Sequence, residues 1–199
     1  EAELIKLFSN AWRYINFAAS NQFFMICQNL GVDFKKIRNL MMDGYSRNKS
    51  LPKAGFAAGP CLLKDTMQLS HFVNKKFPLG SESLVINEGL PQFFVNFLKK
   101  KYNLKRKKIG ILGLTFKPDV DDVRDSLSLK LLKILKKKCS KVFISDEFYI
   151  HPQGISKENL IKKSDIVIVA VPHARYKKIK IPKNKIIIDT WGIIKRDNL

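Results

Sequence analysis

Ile109-Gly110-Ile111-Leu112-Gly113-Leu114 marks the point where the character of the chain changes. The run is short and apolar apart from its two glycines, which is typical of a strand buried on both faces. Similar runs follow at residues 141–145, 165–171 and 185–189. Between the first two, Asp125 or Ser126 can cap a helix that ends near Lys137, and Ser156 can cap a shorter helix. Strands that alternate with helices in this way predict a parallel sheet.

The residues before position 107 have the periodicity of helices instead. Apolar side chains at three- and four-residue spacings predict a first helix that ends near Leu30, with Gly31 as its stop. At about 1.5 Å per residue this helix is about 45 Å long, and its broad apolar face predicts a homodimer formed through it. Further helices are predicted from Asp33 to Met42, from Leu62 to Val73 and from Ser81 to Tyr102. The predicted fold class is α/β, with a helical part over residues 1–104 and a parallel-sheet part over residues 105–199.

Polar residues follow every strand of the predicted sheet. They are residues 115–124 after the first strand, Asp146 after the second, His173 after the third and residues 189–191 after the fourth. Ligands of parallel sheets bind at this edge, beyond the carboxyl ends of the strands. The glycines at 110 and 113 are only half of a dinucleotide fingerprint and lie within the strand, so close packing explains them better than NAD binding. A lone histidine after a strand is more often structural, and we assign His173 no catalytic role.

A second informative stretch is Gly59-Pro60-Cys61-Leu62-Leu63-Lys64-Asp65. The Gly-Pro pair is expected to exclude helix, and a helix is expected to start directly after it. A helix N-terminus or a nearby ammonium favours the thiolate, which is the nucleophilic form of cysteine. One helical turn would then carry a nucleophile, a cation and a carboxylate at Cys61, Lys64 and Asp65. The alternative is that Cys61 is a small buried hydrophobe and that Lys64 and Asp65 form a solvated pair.

The chain has 199 residues and a formal net charge of +20, which suggests a polyanionic or phosphorylated partner. Its cations cluster at residues 99–101, 105–108 and 136–138. These clusters lie at the ends of apolar segments, and no aromatic residue is interleaved with them. Nucleic-acid binding is therefore the weaker alternative, and no nucleic-acid partner is expected.

The three cysteines are far apart and form no Cys-x-x-Cys pair, so neither a disulfide framework nor a zinc site is expected. No apolar run approaches the roughly 20 residues that span a bilayer. The opening stretch is acidic and lacks the basic region of a signal peptide. We expect a soluble cytoplasmic protein that binds no metal and has no membrane partner.

Four separated motifs occur in an order and at spacings that match a known protein family. They are residues 2–7 with Asn10, residues 55–61 with Lys64-Asp65, residues 86–91, and residues 110–117 with 121–126. In this arrangement the chain resembles the UDP-glucose/GDP-mannose dehydrogenase family, the nucleotide-sugar 6-dehydrogenases, over essentially its whole length. The resemblance implies a central helical dimerisation domain at 1–104 with a catalytic cysteine loop. It also implies a Rossmann-like UDP-binding domain at 105–199.

Enzymes of that family oxidise a C6 hydroxyl to a carboxylate in two NAD-dependent steps, through a thiohemiacetal and a thioester on cysteine. By resemblance, Cys61 is this nucleophile. Lys6 and Asn10, one helical turn apart, match the pair that stabilises the developing oxyanion. Asp65 matches the carboxylate that assists water and proton transfer, and Lys64 matches a supporting cation.

The resemblance also implies how a UDP-sugar is bound. Arg47 matches an arginine that reaches a substrate site, Lys117 matches a lysine near the sugar and diphosphate, and the backbone of 55–59 matches a loop around the substrate. The implied substrate-binding residues are Arg47, Lys53, Gly55, Phe56, Gly59, Lys117 and Arg124.

One departure from the family pattern limits these implications. The family's N-terminal NAD-binding domain, with its complete glycine fingerprint, has no counterpart in the sequence. The chain is therefore expected to be a fragment that binds UDP-sugar and dimerises but does not turn over alone, with NAD bound mainly by the missing domain. The alternative is a non-catalytic dimerisation or regulatory module of the same family.

Overall fold

The computed structural model describes residues 1–74 and 76–194. The chain divides into two compact units, one spanning Glu1–Leu90 and the other starting at Pro91. The first unit is helical and the second contains the parallel sheet, so the predicted fold class is confirmed.

Long helices build the first unit. They are α1 (Ala2–Leu30), α2 (Phe34–Met42), α3 (Pro60–Phe72) and the first half of α4 (Pro78–Lys101). Gly31 ends α1 with a left-handed φ of 72°, and the side chain of Asp33 caps α2 by accepting the amide of Lys35. Both predicted helix ends are confirmed, because the residue types at these positions satisfy the local backbone without help from the rest of the fold.

Two predicted helix starts are wrong. Helix α3 begins at Pro60 and not at Leu62, because proline fits the first helical position, where its missing N–H is not needed. Gly59 precedes it with a φ of 115°, which suits glycine. Helix α4 begins at Pro78, and the hydroxyl of Ser81 donates to the carbonyl of Phe77, the residue before the helix, instead of capping the helix.

The core of the first unit lies between α1 and α3, which pack against each other. On α1 the buried residues Leu7, Ala11, Tyr14 and Ala18 recur at three- and four-residue spacings. The long loop between α2 and α3 contains the short 3₁₀ helix Ser46–Asn48. Ser20 donates a hydrogen bond of 2.8 Å to the carbonyl of Pro52, so α1 holds this loop directly.

Up to residue 194, the second unit contains one parallel sheet of four strands. They are β1 (Lys108–Leu112), β2 (Lys141–Ser145), β3 (Ile166–Val169) and β4 (Ile186–Asp189), in the order β2-β1-β3-β4. Helices α5 (Leu127–Lys136) and α6 (Lys157–Lys163) connect them, with 3₁₀ helices at Leu104–Arg106 and Ala174–Lys178. Strands β1 and β3 end earlier than predicted. Ser126, and not Asp125, caps α5, while Ser156 caps α6 as predicted.

The strand order reverses between β1 and β3. The chain runs from β1 outward to β2, returns to β3 on the other side of β1, and continues to β4. In sheets of this kind the carboxyl ends of the two strands at the reversal border the ligand-binding crevice. The polar residues that follow β1, β2 and β3 therefore lie at the edge where a ligand is expected.

Candidate functional site

The first unit brings together three residues that the resemblance selected. The side chain of Asp65 on α3 is only 5% exposed. It accepts a hydrogen bond of 2.6 Å from Nδ2 of Asn10, and Nζ of Lys6 lies 3.5 Å from the same carboxylate oxygen. A buried carboxylate without partners would destabilise the fold. The amide of Asn10 and the ammonium of Lys6, one turn apart on α1, are the partners of this carboxylate.

Cys61 lies in the first turn of α3, one turn before Asp65, so the two residues share a face of the helix. Its thiol is exposed, as is the side chain of Lys64. Cys27 is buried, and burial raises the pKa of the Cys139 thiol to about 11. Among the three cysteines, Cys61 is therefore the accessible one, which does not fit the alternative of a buried hydrophobe.

The loop before the cysteine places its predicted substrate-binding residues in two different environments. Arg47, in the 3₁₀ helix, and Lys53 are exposed. Gly55, Phe56 and Gly59 are buried, and the amide of Gly55 is fixed by a hydrogen bond. The side chains of Arg47 and Lys53 are accessible to a ligand from solvent, whereas the buried residues fix the conformation of the loop.

Two buried asparagines without a predicted role hold this loop in place. Oδ1 of Asn21 accepts the amide of Gly55 at 2.8 Å, and its Nδ2 donates to Oδ1 of Asn87 at 2.8 Å. Asn87 in turn donates to the carbonyl of Tyr14 at 3.0 Å. The available signal was Asn21 itself, a polar residue that continues the buried spacing of Tyr14 and Ala18 on α1.

The second unit places Lys117 and Arg124 in the segment that follows β1. Both side chains are exposed. The ammonium of Lys117 lies 5.4 Å from the centre of the Phe116 ring. The guanidinium of Arg124 contacts both carboxylate oxygens of Asp122, with a closest approach of 2.6 Å, and this contact holds the pKa of Asp122 below its usual range.

Asp146 and His173, which follow β2 and β3, meet at the same edge of the sheet. Both side chains are fully buried, and Nε2 of His173 lies 3.1 Å from Oδ2 of Asp146. Burial by itself would raise the pKa of Asp146. Hydrogen bonds from His173 and from the amides of Leu114, Phe148 and Tyr149 outweigh this effect and lower the pKa. The predicted convergence of polar groups at the carboxyl ends of the strands is confirmed for this pair.

Gly110 lies within β1 as predicted, whereas Gly113 follows the strand, and the two glycines do not form a dinucleotide cradle. A Cβ at Gly110 would lie 2.3 Å from a methyl group of Leu160 and 2.6 Å from the hydroxyl of Ser164. Gly113 has a φ of 91°, and a Cβ there would lie 2.4 Å from Val171. Close packing fills the space beside both glycines, so these residues do not fit the pyrophosphate of NAD.

Within residues 1–74 and 76–194, no three His, Cys, Asp or Glu side chains are grouped so that they could hold a metal ion. No helix in the same ranges is long and apolar enough to cross a membrane. All three cysteines are free thiols.

Several enzymes are similar to this chain in sequence and fold. A UDP-N-acetyl-D-mannosamine dehydrogenase of Pyrococcus horikoshii is 30% identical over 205 residues, which cover 98% of this chain and 49% of the relative. The structure of the UDP-D-ManNAc dehydrogenase from Pyrococcus horikoshii matches with a TM-score of 0.81 and 28% identity, covering 96% of this chain and 48% of the other. That of the UDP-N-acetyl-mannosamine dehydrogenase from Staphylococcus aureus matches with a TM-score of 0.83 and 25% identity, covering 98% and 47%. The chain spans about half the length of the curated relatives it matches.

Two domain descriptions of one family match successive parts of the chain. Residues 1–88 match the central domain of the UDP-glucose/GDP-mannose dehydrogenase family. Residues 110–196 match the UDP binding domain of the same family. Because both domains occur in sequence and the fold is that of these nucleotide-sugar dehydrogenases, the chain belongs to the UDP-glucose/GDP-mannose dehydrogenase family.

Proposed function

We propose that this chain is the substrate-binding and cysteine-bearing portion of an NAD-dependent UDP-sugar 6-dehydrogenase. The observation that carries the proposal is the buried carboxylate of Asp65, joined to Asn10 at 2.6 Å and to Lys6 at 3.5 Å, one turn from the exposed thiol of Cys61. A nucleophile, two donors and a proton acceptor on two packed helices match the requirements of acyl chemistry at a carbonyl carbon.

In this proposal the C6 hydroxyl of the sugar is first oxidised to an aldehyde. The thiolate of Cys61 then forms a C–S bond to the aldehyde carbon, and the resulting thiohemiacetal carries a negative charge on its oxygen. A second two-electron oxidation, for which NAD bound outside this chain would be the hydride acceptor, takes hydride from this carbon and leaves a thioester. Water finally breaks the C–S bond, which releases the carboxylate and restores the thiol.

The neighbours of Cys61 have separate roles in these steps. Nδ2 of Asn10 uses one N–H for Asp65 and carries a second, and the exposed ammonium of Lys6 carries three. Both can donate to the oxyanion, and losing one such donor typically slows a reaction about 10²- to 10³-fold. Asp65 accepts the proton of the attacking water, and Lys64 adds a positive charge near the helix start.

We assign substrate binding mainly to residues 105–199 and dimerisation with the cysteine chemistry to residues 1–104. Lys117 and Arg124 follow β1 at the switch point of the sheet, where a diphosphate is expected. Within the first unit, Arg47, Lys53 and the loop 55–59 are the residues that we propose for substrate binding. NAD is assigned to the part of the relatives that this chain does not span, since Gly110 and Gly113 do not fit it.

Among UDP-sugars, we propose UDP-N-acetyl-D-mannosamine as the first candidate substrate. The relatives from Pyrococcus horikoshii and Methanococcus vannielii, which are 30% and 31% identical to the chain, are both named dehydrogenases of this sugar.

We further propose that the chain dimerises through α1. This helix exposes large apolar side chains, among them Ile5 at 67%, Phe8 at 55% and Trp12 at 66%. A Trp12→Glu variant should sediment as a monomer at concentrations where the unaltered chain sediments as a dimer. An unaltered chain that remains monomeric would refute the dimer and leave the substrate assignment intact.

Thermal unfolding with added ligands tests the proposed function. UDP-N-acetyl-D-mannosamine at 100 times its dissociation constant should stabilise the chain by about 2.7 kcal/mol and raise Tm. NAD at the same concentration should leave Tm unchanged, and Lys117→Ala should weaken the effect of the UDP-sugar. A Tm that no UDP-sugar changes would refute the proposal. Stabilisation by UDP-sugar together with an unreactive Cys61 would instead support the non-catalytic module.

A further inference from the structure

The buried pair of Asp146 and His173 is hydrogen-bonded to both ends of the segment 114–119, which carries Lys117. One oxygen of the Asp146 carboxylate accepts the amides of Leu114 and Thr115, at 2.5 and 3.3 Å. The other oxygen accepts the amides of Phe148 and Tyr149, at 2.8 and 3.0 Å. Asp146 therefore ties the start of the segment after β1 to the end of β2.

The hydrogen-bond pattern of His173 assigns its tautomer. Nδ1 accepts the amide of Asp119 at 2.9 Å, so this nitrogen carries no proton. The proton is on Nε2, which donates to Oδ2 of Asp146 at 3.1 Å. The rings of Phe148 and Tyr176 lie 5.0 and 5.1 Å from the imidazole and keep its plane in place.

Both ends of the segment 114–119 are thus fixed to one buried pair. Asp119 has a φ of 59°, a left-handed conformation that costs energy for a residue other than glycine, and its carboxylate accepts the amide of Ala174 at 3.0 Å. Inside the segment, the hydroxyl of Thr115 donates to the carbonyl of Lys117 at 2.9 Å. The backbone beside Lys117 is held on both sides, although its ammonium is exposed.

We infer that Asp146 and His173 are positioning residues, which fix the segment 114–119 so that Lys117 faces the diphosphate of the nucleotide sugar. The inference rests on the proposed function, because it takes the ligand from it. Asp146 and His173 have no exposed atoms in their side chains and act through Lys117. Because the backbone of this segment is already ordered, ligand binding does not carry the entropy cost of ordering it.

A double-mutant cycle on UDP affinity tests this inference. The full chain and the variants Lys117→Ala, His173→Gln and the double variant are titrated with UDP by calorimetry. Lys117→Ala should weaken binding by about 10- to 100-fold, the usual loss for a hydrogen bond to a charged group. His173→Gln should also weaken it, but the double variant should bind no more weakly than Lys117→Ala alone.

A matched variant separates positioning from general destabilisation. In His173→Asn the side-chain oxygen can replace Nδ1 as acceptor for the amide of Asp119, whereas in His173→Gln the longer side chain places its amide near Nε2. His173→Asn should therefore keep more UDP affinity than His173→Gln, even at equal loss of Tm. Two losses of affinity that multiply in the double variant, or a His173→Gln variant that binds UDP normally, would overturn the inference.

Amide hydrogen exchange tests the same inference in the absence of a ligand. In His173→Gln the amides of Leu114, Thr115 and Asp119 should exchange faster, while those of Val167 and Ile168 in β3 stay protected. Unchanged protection of the three amides would overturn the inference even if UDP binds. If the unaltered chain binds no UDP, the proposed function fails, and the exchange result still decides whether the pair fixes the segment.

Discussion

Asn10 donates a hydrogen bond of 2.6 Å to Asp65 across 55 positions of the sequence. The contact joins α1 to the first turns of α3 and holds a buried carboxylate one turn from the exposed thiol of Cys61. The same contact therefore stabilises the first unit and holds Asp65 close to Cys61, the proposed nucleophile.

Replacing Asn10 by alanine should destabilise the first unit by about 1–3 kcal/mol, because Asp65 keeps its burial and loses its closest donor. Urea unfolding measures this loss. Asn16→Ala is the control, since the amide of Asn16 donates to the carbonyl of Trp12 in its own helix and its hydrogen bond is exposed. An equal effect of both substitutions would show that the contact with Asp65 adds nothing to stability.

Asp146 should make the second unit sensitive to acid. Its pKa is lowered in the folded state by hydrogen bonds that outweigh burial, so its contribution to stability is complete above about pH 4, the unfolded value. The contribution is lost as the pH falls from there through the folded pKa. Urea unfolding between pH 7 and pH 2.5 should show a shallower acid loss in Asp146→Asn than in the unaltered chain. Glu158→Gln, at a carboxylate that is 72% exposed, should keep the original profile.

The three cysteines should differ in their rates of alkylation. Cys61 is exposed, Cys27 is buried, and a pKa of about 11 leaves Cys139 with about one thiolate in a thousand molecules at pH 8. Iodoacetamide labelling at pH 8, followed by peptide mass spectrometry, should therefore modify Cys61 first. Faster modification of Cys139 or Cys27 would contradict the assignment of Cys61 as the nucleophile.

Gly110→Ala should destabilise the second unit by about 1–3 kcal/mol, because the new methyl group would overlap Leu160 and Ser164. Gly89→Ala is the matched control. Apart from its chain neighbours and the backbone of its own helix, no atom of the described residues lies within 4 Å of a Cβ at this position, so the substitution should stabilise the helix by about 0.5–1 kcal/mol. If urea unfolding shows Gly110→Ala to be neutral, packing does not explain this glycine.

Local signals account for the parts of the fold that could be predicted from the sequence. Gly31 and Asp33 satisfy their own helix ends, and the apolar run of β1 needs burial on two faces wherever the strand is placed. The start of α3 was missed because Pro60 was expected to exclude a helix, whereas the first helical position accepts proline.

The contacts that shape the candidate site join residues far apart in the sequence, and local signals do not predict them. Asn21 meets Asn87 across 66 positions, and Asp146 meets His173 across 27. No spacing rule predicts such pairs, because only the completed packing shows which buried polar groups must satisfy each other. The resemblance selected Lys6, Asn10 and Asp65 without showing that they touch, and their contact is a finding of the structure.

The most direct test of the central claim is the alkylation rate of Cys61 with and without saturating UDP-N-acetyl-D-mannosamine, with Cys139 as the internal standard. If the sugar binds beside the thiol, the rate at Cys61 should fall about tenfold or more at 10 or more times the dissociation constant, and the rate at Cys139 should not change. Calorimetric binding of the UDP-sugar with an unchanged rate at Cys61 would contradict the account.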